Sequence, residues 1–259
     1  MDPEPDTFPR LAAGVRVVAR GRDRLQAGIT LDRQVVVATE SRSATAMELL
    51  QHGRRLPGEQ RDLDVITRLD EAGLLARPRA RERSVLVIGD LGSAAALTRA
   101  LHTAGLERDP ESVAAPSVPG LLVASGEPER ELIDPWLLSA RPHLLVRLID
   151  GVVTVGPFVV PGETACLRCI DAHRQDVDPE YVAVLYRYIH EPRLDGCTDE
   201  GPPAAAALAL AWAARDLSIW REGGRPVTLS TTVALMDTGV NATSWLRHPE
   251  CVCGQGDVS

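Results

Sequence analysis

Two close-spaced cysteine pairs, far apart along the chain, limit what it can fold into. Cys166-Leu167-Arg168-Cys169 is a C-x-x-C, and Cys251-Val252-Cys253 is a C-x-C with His248 just upstream. Zinc takes four tetrahedral ligands, which two short thiolate pairs from separate segments supply and a single pair does not. If both pairs serve one ion, the segment at Cys251 must return to Cys166 and be clipped against a helix that begins there. A C-x-x-C by itself also fits a redox dithiol, but those motifs follow a first strand, whereas this one is central and has a matching pair. His248 is an alternative fourth ligand. Cys197 stands alone in a segment without a clear pattern and reads as an ordinary thiol, with a nucleophilic role as the alternative.

Composition narrows the function. A chain of 259 residues with 44% hydrophobic content can bury one sizeable core or two modest ones, and two are favoured. Aromatic residues make up only 3%, so the core is built from Val, Leu, Ile and Ala, and base stacking is disfavoured. A net charge of -8 argues against a broad phosphate-binding surface, and no nucleic-acid partner is expected. Every one of the 28 basic Lys+Arg positions is arginine. No apolar run approaches the roughly 20 residues that cross a bilayer, and the acidic opening Met1-Asp2-Pro3-Glu4-Pro5 is unlike a signal peptide. The expectation is a cytoplasmic protein with no membrane partner.

The pattern along the chain divides near residue 78. Apolar runs at Val15 to Val18, Leu25 to Ile29 and Val35 to Val37 predict three short antiparallel strands. Ser43 can cap a following helix that ends at Gly53, and Leu63, Ile66, Leu69 and Leu74 predict another that stops at Gly73. This is a small α+β, winged-helix-like module over residues 1–78, followed by a charged linker at Ala76 to Arg83. Residues 79–259 read as an α/β domain. It opens with a strand at Ser84 to Ile88 and a helix from Ser93 to Thr103. Strands at Gly120 to Ala124, His143 to Leu148 and Val152 to Val160 follow, with a helix at Glu129 to Ser139. A buried Ala-rich helix is predicted at Ala204 to Trp220, then strands at Leu229 to Val233 and Val240 to Leu246. Arg174 to Pro203 reads as helix, then loop.

Nucleotide binding is disfavoured at the first turn of this domain. Gly89-Asp90-Leu91-Gly92-Ser93-Ala94 carries Leu91 and Ala94 where a dinucleotide fingerprint needs glycine, and Asp90 opposes a phosphate at the helix N-terminus. The glycines are explained as strand-to-helix turn residues.

The stretch Gly156-Pro157-Phe158-Val159-Val160-Pro161-Gly162-Glu163-Thr164-Ala165-Cys166-Leu167-Arg168-Cys169 resembles the G-P-x-x-x-P-G-x-T-A-C-x-x-C signature of ThiF-like proteins from ribosomal-peptide clusters, the partners of YcaO cyclodehydratases. The likeness extends over most of the chain. It implies a leader-recognition winged helix, a ThiF-like Rossmann-type mixed sheet with helices, and a C-terminus stapled by Zn2+ on Cys166, Cys169, Cys251 and Cys253. Adenylating members need a glycine loop and a lysine around ATP. This chain has neither, so the resemblance implies a non-adenylating scaffold beside a YcaO-type enzyme that binds ATP and forms azolines. No catalytic or nucleotide-binding residue is assigned. A homodimer is expected by analogy.

In the resembled family an extended leader adds a strand to the sheet edge beside a helix. The matching edge is Arg33 to Thr39, with Arg33, Val35, Val36 and Val37 on it. The groove helix is Leu63 to Leu74, with Val65, Ile66 and Leu69 as apolar contacts and Arg33, Arg61 and Arg68 as partners for acidic leader residues. One face of Val35 to Val37 is core by alternation, and Ile66 and Leu69 read more readily as core than as groove residues. Two other functions compete. An adenylating enzyme acting on a peptide or carrier-protein carboxylate would need an Arg in place of the lysine. A DNA-binding regulator is opposed by the acidic Asp62, Asp64, Asp70 and Glu71 on the would-be recognition segment.

Overall fold

A computed structural model describes residues 9–54, 56, 62–76, 83–89, 94–191, 202–236 and 238–254. The chain forms two compact units, Met1–Arg79 and Ala80–Ser259.

The first unit is a three-stranded antiparallel sheet of β1 (Val17–Arg20), β2 (Arg24–Thr30) and β3 (Arg33–Ala38), in the order β1-β2-β3, with α1 (Arg42–Gln51) and α2 (Leu63–Glu71). Alternation puts Val35 and Val37 on the core side with Ala27, and Met47, Leu50, Val65 and Leu69 complete the cluster. The cap of α1 differs from expectation. Ser41, not Ser43, accepts from the Ala44 amide, while the Ser43 hydroxyl donates to Asp62, which caps α2 by accepting from the amides of Asp64 and Val65. Composition alone cannot choose between two serines two residues apart, because the choice depends on where Asp62 lies. Segment 10–12 runs antiparallel to 74–76 and ties the end of α2 down through Ala12 N to Leu74 O and Ala76 N to Arg10 O.

The second unit is a mixed α/β fold. Its seven-stranded sheet has the order β10-β9-β8-β7-β6-β4-β5. Strands β4 (Ser84–Gly89), β5 (Glu107–Arg108), β6 (Gly120–Ser125) and β7 (His143–Ile149) are parallel. The others, β8 (Val152–Val159), β9 (Thr231–Met236) and β10 (Gly239–Ser244), are antiparallel to their neighbours. Helices are α3 (Ala94–Thr103), α4 (Asp134–Leu138), α5 (Leu167–Val177), α6 (Tyr181–His190) and α7 (Pro203–Arg221). The two-residue β5 carries no periodicity that a sequence could reveal, and Arg174 to His190 is two helices where one was expected.

Both faces of β4, β6 and β7 are covered, which is why these parallel strands read as continuous apolar runs. Val85, Val87, Leu121, Val123, Leu144 and Val146 face Leu97 and Leu101 of α3 and Leu210, Ala213, Ala214 and Leu217 of α7. The intervening Leu86, Leu122 and Leu145 face Ile133, Trp136, Leu167 and Ile170 on the other side. The alanines of α7 let its backbone lie close to the strands. Gly89 ends β4 at φ +83, and a Cβ there would sit 1.9 Å from Val123 O, so the neighbouring strand alone requires glycine. No helix among the described residues is long and apolar enough to cross a membrane.

Candidate functional site

The G-P-x-x-x-P-G-x-T-A-C segment is the route from β8 to α5. Gly156 has φ +97, and a Cβ would meet Thr231 O at 2.1 Å, so β9 can pair closely only with glycine there. Phe158 is fully buried. Thr164 Oγ1 accepts from the Val160 amide at 2.8 Å, and the Ala165 amide donates to Ser230 Oγ at 3.0 Å. These contacts fix the turn that delivers Cys166 to the N-cap position of α5 and Cys169 to its first turn. Helix N-termini favour negative charge, so both sulfurs sit where a thiolate is stabilised.

Cys251 and Cys253 arrive from the segment after β10, bringing four sulfurs together. Sγ separations are 3.8 Å for Cys166 to Cys169, 3.8 Å for Cys166 to Cys251 and 3.4 Å for Cys169 to Cys253. A tetrahedron with metal–sulfur bonds of about 2.3 Å has edges of about 3.8 Å, so the arrangement fits one four-coordinate ion. These four residues could hold a metal ion. Between the thiols themselves, hydrogen bonds from Cys166 and Cys253 pull Cys169 well below the usual thiol range. The hydrogen bond to Cys169 pushes Cys166 up, and burial pushes Cys251 up to about 12. A coordinated cation would instead hold all four sulfurs as thiolates, because ligating thiols are deprotonated outright.

His248 lies beside the four sulfurs in a different role from the fourth-ligand alternative. Its Nε2 is 3.0 Å from Asp176 Oδ2, and its Nδ1 accepts from the Glu250 amide at 3.3 Å. His173 and Asp176 on α5 and His248 form a second group whose ligand atoms lie within 4.8 Å of one another. The Glu250 contact sets the tautomer that carries hydrogen on Nε2, so this nitrogen donates to Asp176 and has no lone pair for an ion. The group instead buttresses the loop that carries Cys251 and Cys253, together with His173 Nε2 donating to Leu246 O at 2.9 Å.

In the first unit, β3 ends the sheet order and pairs only with β2 among the described residues. The Thr39 amide donates to Asp23 O, so odd-numbered residues of this strand turn their amides to β2 and Val36 turns its N–H and C=O outward. Arg68 reaches across from α2 and donates to Val36 O at 3.0 Å. Arg33 reaches the other way, donating to Ala72 O at 3.2 Å and Gly73 O at 2.5 Å, the carbonyl end of α2. Val35, Val37, Val65 and Leu69 are core residues, buried to 7% exposure or less. Val36 and Ile66 are half-buried, so of the apolar positions these two have surface to offer a ligand. Arg61, Cys197 and Asp90 to Ser93 of the first turn lie outside the described residues.

No family model matches this chain, and no curated protein matches it. Solved structures do share the fold. The heterocyclase TruD is 19% identical with a TM-score of 0.61, over 95% of this chain and 43% of that one. A heterocyclase in complex with substrate and cofactor is 17% identical with a TM-score of 0.65, over 98% of this chain and 40% of that one. E. coli MccB is 12% identical with a TM-score of 0.56, over 97% of this chain and 98% of that one. This chain spans about two fifths of the length of the heterocyclases it matches.

Proposed function

We propose that the protein is a non-adenylating scaffold that binds the leader of a ribosomally made precursor peptide. It presents the peptide core to a separate, ATP-dependent YcaO-type cyclodehydratase that forms azolines. The observation that carries this reading is the outward-facing Val36 of an edge strand with a helix beside it. That is a template for strand addition, in which main-chain hydrogen bonds supply affinity. The leader strand replaces Arg68 at Val36 O, and the released guanidinium pairs with an acidic leader residue. Ile66 offers the added strand an apolar contact on the helix side of the sheet, and Val36 offers one on the opposite face. The fold likeness to two heterocyclases is consistent with a place beside heterocycle-forming chemistry.

Zinc is the ion we assign to Cys166, Cys169, Cys251 and Cys253, because an all-thiolate tetrahedral set suits Zn2+ and leaves no open position for catalysis. The ion stabilises the fold and supplies no reaction step.

The test is calorimetric titration of the purified protein with ATP–Mg and, separately, with leader peptides encoded near its gene. Leader binding without ATP binding is the expected result. Val36→Pro removes an outward amide without touching the β2 ladder, and losing one such hydrogen bond, about 1 to 1.5 kcal/mol, weakens leader binding roughly tenfold. Unaltered affinity in a folded V36P would move the leader elsewhere. The second reading, an adenylating enzyme, draws on the fold likeness to MccB, a microcin C7 biosynthetic enzyme solved in complex with N-formylated MccA. ATP binding with pyrophosphate exchange would establish it in place of the first.

A further inference from the structure

Two arginines and two carboxylates are buried together at the end of the sheet where an α/β fold of this strand order takes its ligands. β4 is flanked by β5 on one side and β6 on the other, so the order reverses between β4 and β6. Open parallel sheets bind ligands in the crevice at the carboxyl ends of the strands at such a point. Glu127 and Arg130 lie in the segment that leaves β6 at this end. Arg147 is near the carboxyl end of β7, and Asp171 is on α5.

Their contacts form a linear chain of alternating charge from Arg147 through Glu127 and Arg130 to Asp171. Arg147 NH1 donates to Glu127 Oε1 at 2.6 Å, and Arg130 NH1 donates to Glu127 Oε2 at 2.9 Å. Arg130 also grips Asp171 with two bonds, Nε to Oδ2 at 2.7 Å and NH2 to Oδ1 at 2.9 Å, and donates to Pro128 O at 2.7 Å. Side-chain exposure is 3% for Arg147, 4% for Glu127 and 8% for Arg130. Arg147 Nε has no hydrogen-bond partner despite its burial. An apolar core gains nothing from this arrangement, since burying ion pairs costs desolvation that hydrophobic side chains avoid. A carboxylate clamped between two guanidiniums is, however, the contact set that holds a bound oxyanion.

We infer that this is an anion site filled from within, the Glu127 carboxylate standing between Arg130 and Arg147 where the fold would hold a small oxyanion such as a carboxylate or phosphate. In its consequence for nucleotides the inference rests on the non-adenylating reading, since an internal carboxylate denies the phosphates their cationic partners. Glu127→Ala leaves Arg147 buried without a counter-charge, and an external oxyanion then enters the space.

The experiment is thermal denaturation of full-chain wild type and E127A at constant ionic strength, in sodium formate, inorganic phosphate or pyrophosphate against sodium chloride. The expected result is a destabilised E127A whose midpoint rises by about 3 °C or more in one of the oxyanions, with the wild type unmoved. Formate alone acting marks a carboxylate-sized site; phosphate or pyrophosphate acting marks a phosphate site. An E127A midpoint indifferent to all three would overturn the inference, as would a wild type that responds equally. If E127A does not fold, E127A/R147M, which removes the buried charge, should fold without any anion, and its failure would overturn the inference too. Leader titration of the wild type reads the scaffold proposal independently, because that test does not involve Glu127.

Discussion

His143 begins β7 with its ring fully buried beside Trp136, at a centroid separation of 5.4 Å. Its Nδ1 lies 2.9 Å from Arg141 O, which makes it the protonated nitrogen and leaves Nε2 without a partner. Burial pushes its pKa down from 6.5 to about 4. Between those values the unfolded chain takes up a proton that the folded chain refuses. Stability is therefore complete above about pH 6.5 and declines as the pH falls toward about 4, by an amount on the order of 3 kcal/mol. His143→Asn keeps a donor for Arg141 O and removes the titration, and urea unfolding at pH 7 and pH 5 should show a smaller pH difference than wild type. An unchanged difference would place the titration on another group. Asp62 works in the opposite charge type. The Ser43 hydroxyl, with the Val65 and Asp64 amides and Arg68, holds its carboxyl below the usual carboxylate range. Its contribution is present above the ordinary carboxylate pKa and fades as the pH drops through the lowered folded value. Asp62→Ala should cost the first unit about 1 kcal/mol at neutral pH, read by denaturant unfolding.

At the scale of elements, β3 and α2 are laced by two arginines pointing in opposite directions. Arg33 satisfies carbonyls at the C-terminal end of α2, where positive charge is favoured, and so serves the fold first. Arg68 has a looser hold, one bond to Val36 O and an exposed 3.7 Å pair with Asp64. Exposed pairs of that kind contribute little stability, so Arg68 can be exchanged for a ligand at small cost. Arg68→Gln should leave the fold intact, weaken binding of an acidic leader and flatten its salt dependence, measured by titration at low and high ionic strength. Equal salt dependence in variant and wild type would remove Arg68 from the leader contacts. Helix α5 is the corresponding element of the second unit. Its N-terminus holds Cys166 and Cys169, and one and two turns on, His173 and Asp176 brace the segment that returns the other thiols.

For the whole molecule, each unit has its own apolar core among the described residues. A metal on the four sulfurs would tie only the second unit, so calorimetry should resolve two transitions, of which a chelator such as phenanthroline shifts one. Cys166→Ser or Cys251→Ser should release the metal, seen by elemental analysis. The transition of the second unit should fall by about 10 °C or more, since structural metal binding is folding free energy. Unchanged metal content in either variant would remove those four sulfurs as the site.

The sequence by itself determined the elements whose side chains repeat with a clear period. The strands at Ser84, Gly120 and His143 and the long helix from Pro203 are legible because both faces of a covered sheet and a buried helix demand apolar residues throughout. The two cysteine pairs were equally plain, because metal chemistry permits few residue types at few spacings. What only the tertiary structure decided were relations between distant residues. Val35, Val37, Val65 and Leu69 became core because α2 packs across the sheet, leaving Val36 and Ile66 to the surface. Arg33 and Arg68 were recognisable only as charges until the fold gave them carbonyl partners. The grouping of Glu127, Arg130, Arg147 and Asp171 has no local signature, since each is a common surface residue whose burial depends on three segments meeting at one end of the sheet. Periodicity is a property of neighbours along the chain, and charge pairing is a property of neighbours in space.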